Sequence, residues 1–146
     1  MTIKFIKGDM LKGNEDVICD PVNTVGVWHG SGLHAYFVKA FPGLRKSYLD
    51  AVKNKPWFMG NIVYVTNPKR NILLVPTKSD WRKDSDGNDI MTACMDIYDK
   101  KDVHGYKTVA MPMLGTGKGG LSKKEVAQIL LLEFKDCTEL HVNVYY

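Results

Sequence analysis

The chain has 146 residues, of which 45% are hydrophobic and 25% charged, with a formal net charge of +4. That length fits one domain with a substantial core and leaves no room for a second, and the composition excludes long disordered or low-complexity tracts. The surplus of basic charge weakly favours phosphates or nucleic acid as partners.

The first elements are strands. Ile3 to Lys7 alternates apolar and basic residues at period two, and Val17-Ile18-Cys19 is a short apolar run. A glycine-rich loop, Asn23 to Gly32, then leads into a helix on which Leu33, Tyr36, Phe37, Ala40 and Phe41 recur at helical spacing until Pro42-Gly43 stops it. A second helix is predicted from Leu44 to Lys53. Two strands follow, Asn61 to Val65 and Ile72 to Val75, separated by the turn residues Asn67-Pro68. Asp84 to Asn88 reads as a loop and Ile90 to Ile97 as a helix.

Val109-Ala110-Met111 is a strand, followed by a second glycine-rich loop, Leu114 to Gly120. Ser122 and Glu125 form a capping-box pattern for a helix whose apolar stripe is Val126, Ile129, Leu130 and Phe134. The alternating segment Leu140 to Tyr145 closes the chain as a strand. Strands interleaved with helices predict a mostly parallel sheet covered on both faces, with a ligand site outside the carboxyl ends of the strands.

The longest apolar runs, such as Ile129 to Leu132, are far too short to cross a bilayer, and Met1 to Lys4 lacks a signal-peptide core. A cytoplasmic protein is expected. Cys19, Cys94 and Cys137 are odd in number and widely spaced beside apolar residues, which describes reduced packing residues.

The two glycine-rich loops carry the chemistry. Glycines let backbone approach a ligand closely, and amides at a helix start favour an anion, so each loop is a candidate phosphate cradle and the pair implies a pyrophosphate. Either loop alone reads more simply as a tight turn. Gly115, Gly117 and Gly120 also fit G-x-G-x-x-G, but that fingerprint opens a dinucleotide fold, whereas here only one helix and one strand remain after it. No Gly-Lys-Ser/Thr triplet supports a Walker A loop. His29 with Ser31 or Asp20 makes a poor triad within one loop, and His29 with His34 makes a poor metal pair. No metal and no cofactor are expected.

Gly8-Asp9-Met10-Leu11, Asn23-Thr24-Val25-Gly26 with the following Gly-x-Gly, Ala40-Phe41-Pro42, Val75 to Lys78, and Pro112 to Gly117 through Gly119-Gly120-Leu121 together resemble the ADP-ribose-binding macrodomain family in order and spacing. The resemblance covers nearly the whole chain. It implies a three-layer α/β/α fold with a mixed, mostly parallel central sheet, filling residues 1–146 as one domain. Asn-Thr-Val-Gly, Pro-Thr-Lys and Trp81-Arg82 are most similar to the macrodomain of bacterial antitoxins that remove ADP-ribose from thymidine in DNA.

That resemblance implies roles residue by residue. Asp9 would accept from the adenine amino group, with Met10 beside it, its local alternative being a turn or cap aspartate, and Tyr145 would face the adenine ring or pack in the core or at the sheet edge. Asn23 would hold the distal ribose; its local alternative is an Asx turn. Gly30, Ser31 and Gly32 would wrap the diphosphate with Leu114, Gly115, Thr116, Gly117 and Lys118, while Pro76 and Thr77 lead to Lys78. Lys78 and Asn23 are the candidate catalytic pair, the lysine acting at the anomeric carbon covalently or through its charge.

The first loop departs from the antitoxins' Met-Gly-Lys-Gly by one extra residue and a serine for the lysine. The second has Gly119 where a relative acting on glutamate linkages carries an acid. The toxin-binding domain of the antitoxins has no counterpart in these 146 residues, which favours an eraser or a reader. The resemblance therefore implies an ADP-ribosyl glycohydrolase acting on ADP-ribose linkages, with modified single-stranded DNA as a candidate partner, working as a monomer away from membranes. Alternatives are an ADP-ribose-1″-phosphate phosphatase, whose family lacks a counterpart to Lys78, and a non-catalytic ADP-ribose reader or sponge.

Overall fold

A computed structural model describes residues 2–27, 30 and 32–146. The elements run β1 (Ile3–Ile6), a 3-10 turn (Met10–Lys12), β2 (Val17–Asn23), α1 (Leu33–Ala40), α2 (Leu44–Lys53), β3 (Val63–Val65), β4 (Asn71–Lys78), α3 (Gly87–Asp99), α4 (Lys101–His104), β5 (Thr108–Met111), a 3-10 turn (Gly117–Gly119), α5 (Lys123–Phe134) and β6 (His141–Tyr145). The strands form one six-stranded sheet in the order β1-β6-β5-β2-β4-β3. Every pair is parallel except β3 with β4. No helix among the described residues is long and apolar enough to cross a membrane.

Side-chain alternation along the strands builds two cores. Leu73 and Val75 of β4 join Val17 and Cys19 of β2 under α3 and α5, where Ile90, Cys94, Ile97, Val126, Leu130 and Phe134 pack. Ile72 and Leu74 join Ile18 and Val22 on the other face, under Phe37 of α1 and Leu44 and Tyr48 of α2. The chain is thus a three-layer α/β/α sandwich. Ser122 caps α5 by accepting from the Glu125 amide at 3.1 Å.

The structure corrects several element readings. β2 runs on from Cys19 through Asp20 and Pro21 to Asn23, and β4 runs on from Val75 through Pro76 to Lys78. Proline lacks the ladder donor, but β5 pairs with β2 only at Val17 and Ile18, and β3 pairs with β4 only from Ile72 to Leu74. One side of each strand has therefore lost its neighbour where the proline stands. The loop assigned to Asp84 through Asn88 ends early, because Asp86 accepts from the Asn88 amide and starts α3 at Gly87. Tyr36 lies off the buried face of α1, which is formed by Ala35 and Phe37, and is 45% exposed.

Candidate active site

The parting of β2 from β5 after Ile18 opens the sheet at its carboxyl edge. The connection leaving β2 packs α1 and α2 on one face, whereas that leaving β5 packs α5 on the other, and this divergence makes a switch-point crevice. A cleft of about 460 Å³ occupies it, floored by Pro21, Val22 and Asn23 of β2 and walled by Thr77 and Lys78, by Gly32 to His34, and by Pro112 with Gly115 to Gly119.

Asn23 and Lys78 meet there because of a break in register. The β2–β4 ladder pairs Val22 with Pro76 and then Asn23 with Lys78, so Thr77 is the extra residue of a bulge. Bulges re-aim side chains beside binding sites, and this one sets the two candidate catalytic residues against each other. The Thr24 amide then donates to the Lys78 carbonyl at 3.0 Å and fixes the corner.

The Asn23 side chain organises the first loop as an Asx turn. Its Oδ1 accepts from the amides of Val25 (3.1 Å), Gly26 (2.9 Å) and Val27 (3.2 Å), and from the Tyr48 hydroxyl at 2.9 Å. Its Nδ2 donates to the Val27 carbonyl at 2.9 Å. An amide nitrogen carries two hydrogens, so one Asn23 donor is left for a ligand. Tyr48 is buried, which pushes its hydroxyl up to about 12, and its single proton is shared between Asn23 Oδ1 and the Asn23 carbonyl, the latter at 2.6 Å. Lys78 spans the cleft mouth, its Nζ donating to the Lys118 carbonyl at 2.7 Å and to that of Trp81 at 3.5 Å.

The glycines of the two loops divide by role. Gly30, Gly32 and Gly117 have φ of 73°, 87° and 64°, and a side chain at any of them would meet open space. Gly115, at φ 77°, is a packing glycine, since an added Cβ would come within 2.8 Å of Leu121. Around the second loop, the amides of Gly119, Gly120 and Leu121 donate to Thr116, Gly117 and Gly115 and hold the turn. At α1 the N-cap is Gly32, with no side-chain cap, and Gly32, Leu33 and His34 all line the cleft.

The structure does not bring every candidate into this cleft. Leu114 is fully buried in the α3/α5 core, Met10 is buried in the α1/α2 core, Pro76 is buried within β4, and Gly30 is exposed outside the lining. Asp9 caps the Met10–Lys12 turn, accepting from the Leu11 amide at 2.9 Å and the Tyr36 hydroxyl at 2.7 Å. The Tyr36 bond, followed by the Leu11 one, holds its carboxyl below the usual range. Tyr145 donates to Glu15 Oε2 at 2.6 Å and packs along the α1/α2 core. Ser31, Trp28 and His29 lie outside the described residues.

Tyr48, Met113 and His34 also line the cleft: the sequence does not single out Tyr48, marks Met113 only as part of the Pro112 to Gly117 motif and offers His34 only as a metal ligand. Asp20, fully buried on β2, bonds His34 and so is paired with α1. Beside Lys78 and Lys118 the surface continues as a shallow depression lined by Trp81, Arg82, Lys83 and Asp84. Arg82 there makes a two-pronged bond to Asp80 at 3.0 Å through each prong, which holds the Asp80 carboxyl at about 2. Among the described residues no group of three or more His, Cys, Asp or Glu could hold a metal ion.

Fold and cleft define an α/β domain whose site opens at a sheet switch point. The Macro domain family model matches residues 19–130, and the chain belongs to that family. It is 32% identical to a DNA ADP-ribosyl glycohydrolase of Thermus aquaticus over 98% of this chain and 41% of that protein. The chain thus spans about two-fifths of the length of such curated relatives. Its fold is similar to the macrodomain of Mycobacterium tuberculosis DarG, with TM-score 0.89 at 28% identity over 98% of this chain and 96% of that one. It is also similar to Thermosipho africanus DarTG in complex with ADP-ribose, with TM-score 0.86 at 28% identity over 99% of this chain and 41% of that one.

Proposed function

We propose that the cleft binds ADP-ribose and that the protein hydrolyses ADP-ribosyl linkages, removing ADP-ribose from thymidine in DNA. The register shift that sets Asn23 against Lys78 at the cleft floor, between two glycine loops, carries this reading. The diphosphate lies between the uncapped start of α1 and the Thr116 to Lys118 turn, where backbone dipoles and open glycine faces favour an anion. The remaining Asn23 donor holds a distal ribose hydroxyl, and Lys78 acts at the anomeric carbon. Asp9 stands at the adenine end, with Met10 and Tyr145 packed behind it in the α1/α2 core; Asp9 has engaged two of its roughly four acceptor positions and keeps capacity for the adenine amino group. Trp81 and Lys83 beside the cleft meet the flanking DNA strand by stacking and charge.

Calorimetry should give micromolar ADP-ribose binding, about −8 kcal/mol, with AMP clearly weaker. An oligonucleotide carrying ADP-ribosyl thymidine should lose the modification, and Lys78→Ala should keep ADP-ribose binding while cleavage falls by at least about a hundredfold. Borohydride trapping with substrate separates a covalent lysine adduct from an electrostatic role. Absence of ADP-ribose binding sinks the reading. Phosphate release from ADP-ribose-1″-phosphate without cleavage of modified DNA would replace it with the phosphatase, and binding without either reaction with the reader.

A further inference from the structure

One ionisable pair in the cleft wall is left without a task by this reading. Strand alternation puts Asp20 on the same side of β2 as Ile18 and Val22, facing α1, and helical spacing puts His34 on the same stripe as Phe37. The two meet: His34 Nδ1 lies 2.6 Å from Asp20 Oδ2, with Asp20 wholly buried. A carboxyl at such a core position is costly unless it serves as a partner. Burial pushes the Asp20 carboxyl up, against the pull of its bond to His34.

The other imidazole nitrogen, Nε2, is buried and makes no hydrogen bond, and His34 lines the cleft. β2 and α2 make the main packing against α1. β2 presents Asp20 to the ring; α2 presents Tyr48, edge-on with ring centroids 4.9 Å apart, and Arg45, whose guanidinium sits 5.4 Å from the Tyr48 centroid. Tyr48 in turn bonds Asn23. The imidazole therefore stands one side chain away from the residue assigned to the distal ribose.

A carboxylate that accepts a hydrogen bond from Nδ1–H leaves the lone pair of a neutral imidazole on Nε2, which is the posture of a general base. We propose that His34, oriented by Asp20, is the general base of the hydrolysis. This rests on the function proposed above. With Lys78 acting through its charge, and with substrate binding bringing a water onto the otherwise enclosed Nε2, that water's O–H bond breaks to Nε2 as its oxygen bonds the anomeric carbon, and the bond from that carbon to thymine breaks with its electron pair on the base. The thymine anion takes a proton from solvent, and the imidazolium returns one to solvent. Asp20 is the positioning residue.

His34→Asn tests this, because the Asn amide can still donate to Asp20 while nothing replaces Nε2. ADP-ribose affinity should stay within about threefold, kcat on ADP-ribosyl thymidine should fall by about 10² to 10⁴ with little change in KM, and the rising limb of the pH profile should vanish. Asp20→Asn should lower kcat while ADP-ribose affinity stays within about threefold, since the imidazole loses the carboxylate that orients it. Nitrogen NMR of wild-type His34 supplies a readout without a variant: the expected tautomer carries its proton on Nδ1, and ADP-ribose should shift the Nε2 signal. Wild-type rate and pH profile in a folded His34→Asn overturns the inference alone, as does a proton fixed on Nε2. Wild type inactive on modified thymidine overturns the proposed function, and this inference falls with it.

Discussion

Two buried carboxylates bracket the first half of β2, and they are treated in opposite ways. Glu15, just ahead of the strand, has both oxygens engaged: Oε1 accepts from Arg70 at 3.1 Å, and Oε2 from Asn143 at 2.9 Å and Tyr145 at 2.6 Å. Asp20, within the strand, has one partner, and its Oδ1 has none. Burial is the largest influence on both. For Glu15 it is outweighed by the bonds from Tyr145, Asn143 and Arg70, so the carboxyl sits below its ordinary value; for Asp20 burial wins and the carboxyl sits above it. The number of donors decides the sign, and the carboxylate left short of donors is the one beside the cleft.

The largest effect should come from dismantling the satisfied cluster. Glu15→Ala strips Arg70 of its carboxylate while the guanidinium remains mostly buried, and also frees Asn143 and Tyr145. Breaking such a pair on one side costs about 3–5 kcal/mol, readable as a fall in the urea midpoint. A loss below about 1 kcal/mol would show that the cluster behaves as a solvated surface network, and the contrast with Asp20 would collapse.

A smaller, pH-dependent effect sharpens the same contrast. The folded Glu15 carboxyl lies below its ordinary value of 4.5, so the unfolded chain takes up the proton first. Its stabilisation is complete above that range and is lost as pH falls through the folded value. Asp20 runs the other way: the folded chain holds its proton more tightly, so its contribution worsens as pH rises from about 3.9 through the raised folded value. Glu15→Gln should cost about 1.5–3 kcal/mol at neutral pH, where charged hydrogen bonds are lost, and much less in acid. Urea midpoints between about pH 3 and 7 check this, and a pH-independent loss would mean that Glu15 acts through packing and not through charge.

This contrast also marks what the sequence could and could not say. The α2 segment, Leu44–Lys53, and the Ser122 cap are local patterns and matched their predicted positions. Asn23 and Lys78 were legible as loop and strand-end residues, but the bulge that pairs them depends on strand register, which no local pattern records. Asp20 and Pro21 read as an end to β2 because a charge and a proline break strands; the pairing with His34 and the departure of β5 make them tolerable. Fourteen residues separate Asp20 from His34. The period-two face of β2 and the Phe37 stripe of α1 would have brought them together, had the helix not been read with Tyr36 on its buried side. Glu15, Arg70 and the β6 pair Asn143 and Tyr145 come from three distant segments, and their meeting is a product of the fold alone.

The smallest effect on stability is expected where the largest effect on chemistry is proposed. Asp20→Asn removes a buried charge that has a single partner, and the amide oxygen can still accept from His34 Nδ1 at the same place. What is lost in charge-assisted bonding is offset by the burial cost that disappears, so the neutral-pH urea midpoint should change by less than about 1 kcal/mol, in either direction. Glu15→Gln is the matched control, the same acid-to-amide change at a site with three donors. If Asp20→Asn destabilises as much as Glu15→Gln or more, the Asp20–His34 pair is holding α1 to the sheet as a structural tie. If it leaves stability nearly unchanged while cleavage falls, the unsatisfied carboxylate is retained for what His34 does in the cleft.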